Sequence, residues 1–247
     1  MMTVKNQNQI ALMRKAGIIV RDTLQLLEEH AKIGVTTKYL DELAYEYIRK
    51  QNAHPSFLGF RGFPGSICAS IDNEVVHGVP SKKVRLEEGM LLKIDAGACF
   101  EGYHADAART IAIGAVSPEK KKLMDVCKES FFEGMKVLKE GARLGDLGHA
   151  IQRYVEARGF SVVRNLIGHG IGNELHEDPA VPNYGVPGRG MRVFANMTIA
   201  VEPMINMGDK EVIFTENNVA VTKDGSPSAH YENTVVILPD GVEILTL

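Results

Sequence analysis

A chain of 247 residues, 45% hydrophobic and 24% charged, can bury a sizeable core as one large domain or two fused halves. Its net charge of −3 gives no electrostatic reason to invoke nucleic acid or an anionic membrane surface. Three cysteines, Cys68, Cys99 and Cys127, are an odd number without the paired spacing of zinc or redox motifs, which argues against a disulfide framework and fits a reducing cytoplasm.

The opening segment, MMTVKNQNQI, has neither a basic nor an apolar signal region. No apolar run reaches about 18 residues, so neither export nor membrane insertion is expected. Ile10, Met13, Gly17, Val20, Leu24 and Leu27 recur at helical spacing and predict a first helix. Leu40, Leu43, Ala44 and Tyr47 predict a second, with Thr36 and Thr37 as cap candidates. Strands are expected from there to about Ala115. Ser117 then caps a third helix with Pro118 at its first position, running to about Leu138, and Lys120 to Lys122 are expected on its solvated face. Leu147, Ile151 and Tyr154 mark a fourth helix that stops at Gly159, and strands follow to the end. Two helices followed by strands, twice over, is an α+β pattern in which antiparallel sheets pack together and helices cover their outer faces. The expected organisation is one domain spanning 1–247, with pseudo-repeat halves at about 6–115 and 117–240 and a site at their junction. No exposed heptad or long apolar edge is evident, which predicts a monomer.

Four segments carry chemistry. In MLLKIDAGACFEGYHADAARTIAIG, a loop from Cys99 to Gly102 would set Asp95 directly opposite Asp106 on paired strands, about 5 Å apart at Cβ. In GHGIGNELHEDPAVPNYG, His169 and His176 lack the four-residue helical spacing of a zinc-protease pair. Glu202 ends an apolar run in IAVEPMINMG, and Glu232 precedes the strand-like Thr234 to Leu238. Each has an ordinary reading by itself, as a turn-flanking aspartate, a hydrogen-bonded core histidine or a stray glutamate. Together, four carboxylates and one imidazole in apolar surroundings call for cations. An oxygen-rich set suits manganese, iron(II) or cobalt better than structural zinc, and a pair of such ions is suited to hydrolysis.

These segments, with PSFLGFRGFPGSICASIDNEVVHGVPS at 55–81, resemble the type I methionine aminopeptidases over nearly the whole chain. The resemblance implies the pita-bread fold and a site between its two halves. By that likeness, Asp95, Asp106, His169, Glu202 and Glu232 hold two divalent ions, with cobalt, manganese and iron(II) as first candidates and zinc and nickel as further ones. Glu202 would also shuttle a proton, His176 would hydrogen-bond the tetrahedral oxygen, and His77 would contact the scissile amide. Phe57, Phe60, Phe63, Cys68 and Leu175 stand where the family lines its methionine pocket. Leu175 replaces a frequent phenylalanine, the chain lacks Trp where a pocket tryptophan would fall near Asn218 or Val219, and Asn233 stands where histidine is more usual. The implied activity is removal of amino-terminal methionine before a small second residue. The implied partners are nascent polypeptide amino termini, at the ribosome, in the cytoplasm, without nucleic-acid or membrane contact. Under that rule the chain's own Met1, followed by Met2, would stay in place. The alternatives are a proline-specific aminopeptidase or dipeptidase of the same fold, which usually has an additional amino-terminal domain; a type II methionine aminopeptidase, with a helical insertion; and a non-catalytic peptide-binding member, which would have lost ligands.

Overall fold

The structure, a computed structural model, describes residues 4–247, so the expected fate of Met1 lies outside the described residues. Helix α1 (Gln7–His30) starts at a capping box: the Asn6 side chain accepts from the Gln9 N–H at 3.0 Å, and the Gln9 side chain accepts from the Asn6 N–H at 2.8 Å. Its expected inner face is buried throughout, and Gly17 lets the helix touch the chain end, since a Cβ there would lie 2.1 Å from the Leu245 carbonyl. Helix α2 (Thr37–Lys50) is capped by Thr36. Its buried Asp41 reaches out to accept the backbone N–H of Ser66 at 2.6 Å, which fixes the start of the strand that begins at Ile67.

Strands β1 (His54–Pro55), β2 (Ile67–Ile71), β3 (Glu74–Val76), β4 (Leu91–Phe100) and β5 (Tyr103–Ala112) follow. Helix α3 (Pro118–Met135) has Ser117 as its cap and proline at its start. It ends three residues before Leu138 because Val137 and Leu138 donate to the carbonyls of Gly134 and Met135 in a tightened last turn. Helix α4 (Leu144–Glu156) is followed by Gly159 at φ 85°, the left-handed stop its position suggested. The remaining strands are β6 (Ser161–Val162), β7 (Gly168–Gly170), β8 (Glu177–Val181), β9 (Thr198–Val201), β10 (Met204–Asn206), β11 (Val212–Phe214), β12 (Ala220–Thr222), β13 (Ser228–His230), β14 (Asn233–Leu238) and β15 (Gly241–Ile244).

Every strand pairing among the described residues is antiparallel. Strand β4 pairs with β5 on one side and with β1 and β2 on the other, while the second half builds a five-stranded sheet in the order β15-β14-β9-β7-β8. Smaller sheets, β13-β10-β6 and β11-β12-β3, fill in around these. One apolar core, with Val20, Leu27, Leu40, Ile48, Leu92 and Ile94, lies beneath α1 and α2; another, with Leu123, Phe131, Leu147, Ile151, Ile199 and Val235, lies beneath α3 and α4. The class is α+β, as the element pattern predicts.

Two expectations are corrected. The β4–β5 turn has two residues, Glu101 and Gly102, both at positive φ (49° and 81°), which is the backbone a type I′ hairpin requires. Phe100 therefore pairs with Tyr103, Asp95 with Ala108 and Asp106 with Gly97, so the aspartates are diagonal neighbours on one face rather than direct partners. Lys120 does not face solvent: its Nζ donates to Asp72 Oδ1 and to the Gly89 carbonyl, both at 2.6 Å, tying α3 to the first half. Lys121 and Lys122 are exposed, as expected.

The halves meet along β5 and the β13–β14 segment through a reciprocal device. The Thr234 hydroxyl bonds both the N–H and the carbonyl of Asp106, each at 2.9 Å. The Thr110 hydroxyl does the same for His230, at 2.9 and 2.8 Å. Midway between them the Glu232 N–H donates to the Ala108 carbonyl at 3.0 Å. Asp106-Ala-Ala-Arg-Thr110 and His230-Tyr-Glu-Asn-Thr234 thus face each other about a local twofold axis.

Candidate metal centre and active site

Asp95 and Asp106 project from the middle of β4 and β5, His169 is the central residue of β7, Glu202 directly follows β9 and Glu232 directly precedes β14. Strand β7 can carry an imidazole inward because both its flanking residues are glycine. A Cβ on Gly168 would lie 2.3 Å from the Ala200 carbonyl, and one on Gly170 would lie 2.1 Å from that of Asp178, so no larger residue fits between β8 and β9. All five side chains line one cavity of about 470 Å³. His77, His176, Phe57, Phe60, Phe63, Cys68 and Leu175 line it too, so the structure brings together every expected ligand, catalytic and pocket residue.

The floor of this cavity is electrostatically unbalanced. Burial raises the Asp95 carboxyl to about 7, partly relieved by a hydrogen bond with Asp106. Burial first, then the charges of Glu232 and Asp95, hold Asp106 well above the ordinary carboxylate range. Glu202 is raised by burial and then by both aspartates, and Glu232 by burial and then by Glu202 and Asp95. Among the described residues no lysine or arginine forms an ion pair with any of the four, and Asp95 Oδ1 and Asp106 Oδ1 are buried without a hydrogen-bond partner. Buried carboxylates without partners cost several kcal/mol each when ionised, on the order expected for any uncompensated buried charge.

His169 completes the set in the form a cation needs. Its Nδ1 lies 2.9 Å from the Gly170 carbonyl, which can only accept, so Nδ1 carries the hydrogen. Nε2 is left with a lone pair, 3.7 Å from Glu202 Oε1 and 3.9 Å from Asp106 Oδ2. Burial, and then neighbouring His176, lower this imidazole to about 3, so it stays neutral. Asp106, His169 and Glu232 each offer a ligand atom within 4.8 Å of the others. Uncompensated carboxylates, orphaned oxygens and a correctly turned neutral imidazole fit divalent cations.

The walls are of a different kind. Phe60 packs edge-on against His176, with ring centroids 5.1 Å apart, and His176 lies 4.0 Å from the His169 ring on its other side. Burial, followed by the charges of Arg61, His77 and His104, lowers His176 to about 4, leaving a neutral ring that can donate one N–H. His77 sits at φ 65° with its Nδ1 buried and unpartnered, and burial lowers its pKa. The adjoining Gly78 allows that turn, since a Cβ there would lie 2.4 Å from the Ala69 carbonyl. Cys68 is the cross-strand partner of Asp95, and burial together with Asp95 and Asp106 keeps its thiol protonated. Asn233 points away from the cavity, its Oδ1 accepting from Arg109 at 2.8 Å and from the Thr246 hydroxyl at 3.0 Å.

Three supporting residues escaped the sequence reading. Arg109 donates to the Glu232 carbonyl at 2.6 Å, and Asn183 to that of Glu202 at 2.9 Å; neither carries a local signal, because each partner is remote in sequence. His230, two residues before Glu232, does carry one: strand alternation puts both on one face.

Residues 11–237 match metallopeptidase family M24. The chain belongs to that family. It is 54% identical to a methionine aminopeptidase of Clostridium acetobutylicum, covering 100% of this chain and 99% of the relative. A crystal structure of methionine aminopeptidase from Thermotoga maritima superposes with a TM-score of 0.98 at 41% identity, covering 100% of this chain and 99% of that one. A prolidase from Pyrococcus furiosus shares the fold, with a TM-score of 0.82 at 22% identity, but this chain covers 65% of that longer protein.

Proposed function

We propose that this chain is a methionine aminopeptidase, a metal-dependent hydrolase that cleaves the first peptide bond of a polypeptide beginning with methionine. The observation that carries this is the joining, in one cavity, of an uncompensated carboxylate floor to an apolar wall of Phe57, Phe60, Phe63 and Leu175. Full-length identity to proteins of that activity supports it. The fold comparison with prolidase is too distant in sequence to favour proline specificity.

In this reading the whole chain is one catalytic domain, and Asp95, Asp106, His169, Glu202 and Glu232 hold two divalent ions, manganese, iron(II) or cobalt before zinc or nickel. Bound there, the ions would acidify a water and take up charge from a polarised carbonyl. The protein's own groups do the rest. Glu202, more accessible (14%) than Asp106 (4%) or Glu232 (2%), takes the proton from water and returns it to the leaving amine. His176, gripped between Phe60 and His169, donates its N–H to the oxygen that gains charge. His77, lining the same cavity, addresses the amide. Phe57, Phe60, Phe63, Cys68 and Leu175 surround the methionine side chain and exclude water. Substrates are the amino termini of nascent polypeptides with a small second residue, met at the ribosome in the cytoplasm by a monomeric enzyme. No helix among the described residues is long and apolar enough to cross a membrane.

The test is to strip the protein of metal, refill it anaerobically with manganese, iron, cobalt or zinc, and compare Met-Ala-Ser with Ala-Pro-Ser. Release of methionine from the first, with the second untouched, is the expected result; preferential cleavage of the second would replace this reading by the proline-specific one.

A further inference from the structure

His230 is 1% exposed, and both its ring nitrogens are buried with no hydrogen-bond partner. The Thr110 hydroxyl grips its backbone N–H and carbonyl, so the ring cannot withdraw by a shift of the strand. About the local axis between the halves, His230 occupies the position equivalent to Asp106, and its ring enters the carboxylate floor from the opposite side. Its Nε2 lies 3.9 Å from Glu202 Oε2 and 3.8 Å from Glu232 Oε2.

The two oxygens of Glu202 have different neighbours. Oε1 lies near His169 Nε2, on the side where Asp106 and His169 converge. Oε2 faces His230. Asp106, His169 and Glu232 converge without His230, so an imidazole that meets Glu202 on the oxygen away from His169 is placed to orient that carboxylate rather than to join the cluster. Donors in this position hold metal-binding carboxylates in one rotamer and tune their basicity, and losing them typically weakens metal affinity by about 10–100-fold.

The geometry points to His230 as a positioning residue: its Nε2–H, 3.9 Å from Glu202 and 3.8 Å from Glu232, attracts both carboxylates without bonding either, biases them toward the orientation that binds metal and leaves Glu202 free to carry a proton. This rests on the reading that the floor carboxylates hold divalent ions. Neither ligand spacing nor helical pattern would find this residue, and its role does not depend on its own charge state.

The test compares wild type with His230→Gln, which keeps a side-chain N–H of similar reach, and His230→Leu, which keeps bulk without a donor. Three measurements are made on each full-length protein: calorimetric titration of the metal-free form with manganese, kcat and KM for Met-Ala-Ser at saturating manganese, and melting temperature. The expected result is a roughly 10-fold or greater loss of manganese affinity in the leucine variant, with kcat reduced and KM little changed, and recovery of most of both losses in the glutamine variant. A leucine variant that only melts lower, with manganese affinity and turnover intact, reduces His230 to packing and overturns the proposal. A glutamine variant as impaired as leucine also overturns it, because the imidazole itself would then be a ligand. Should the wild type bind manganese yet not cleave Met-Ala-Ser, the assigned activity fails while the manganese arm still decides the role of His230.

Discussion

The floor and the wall of the cavity are built by opposite means. Every floor ligand sits in or directly beside a strand, and Asp106 is fixed through its backbone by Thr234 from the other half. Much of the wall rides on the turn from Phe57 to Phe63, where Gly59, Arg61 and Gly62 all have positive φ (82°, 49° and 82°) and where the Phe60 and Phe63 side chains remain half-exposed. In the proposed reading, chemistry is thus placed on strand-paired backbone, and recognition on backbone held by short turns. Changes to the floor should therefore abolish function, whereas changes to the wall should redirect it.

The largest effect is expected at the floor. Asp106→Asn removes one charge from a set whose arrangement suits two dications, so metal content and turnover should fall together, by ~10³-fold or more in turnover. Elemental analysis showing full metal alongside ordinary turnover would remove Asp106 from the ligand set. His176→Ala tests the border between floor and wall. Its turnover should drop ~10²–10³-fold with metal retained, as for one lost transition-state donor. His169→Ala should lose metal affinity as well and regain part of its activity at high metal concentration, which His176→Ala should not. Equal rescue of both by added metal would erase the distinction.

The floor should also reveal itself without catalysis. Burial raises Asp95 to about 7, with Asp106, Glu202 and Glu232 well above their ordinary range. Carboxyls raised on folding favour the native state while protonated, so in chelator their contribution is complete below an unfolded carboxyl pKa of ~4 and is lost as pH rises through about 7 and beyond. Metal-free protein should melt lower at pH 8 than at pH 6, and divalent metal should narrow the gap; a melting temperature in chelator that rises with pH would refute it. The smallest effect belongs to the wall. Leu175→Ala enlarges the pocket, and should lower kcat/KM for Met-Ala-Ser by roughly 10-fold while improving acceptance of Phe-Ala-Ser. A uniform loss on both peptides would show that Leu175 shapes the floor instead.

Much of the site was legible because a carboxylate within an apolar run has few uses, and Asp95, Asp106, Glu202 and Glu232 each stand in one. The hairpin register was not legible to the same degree. A type I′ turn at Glu101-Gly102 needs a non-glycine residue at positive φ, a choice that local composition leaves open. The resulting shift moved every partner by two positions, an even number that preserves which face each side chain occupies, so Asp95 and Asp106 still converge. Lys120 looked solvated because its partner Asp72 lies 48 residues away. Arg109 was invisible for the same reason, since the Glu232 carbonyl it braces is 123 residues distant. The helices needed no such distant information: Ile10 to Leu27, and Leu147 with Ile151, announce their buried faces by spacing alone.

The paired threonine hydroxyls, Thr110 and Thr234, make hydrolytic competence conditional on the completeness of the fold. A chain in which the first half alone has formed presents Asp95 and Asp106 and nothing to oppose them; the second half alone presents His169, Glu202 and Glu232 without the aspartates. Each hydroxyl bonds the backbone of the opposite half close to where the five side chains share one space. In the proposed reading, the hydrolytic centre therefore belongs to neither half and exists only where both have come together.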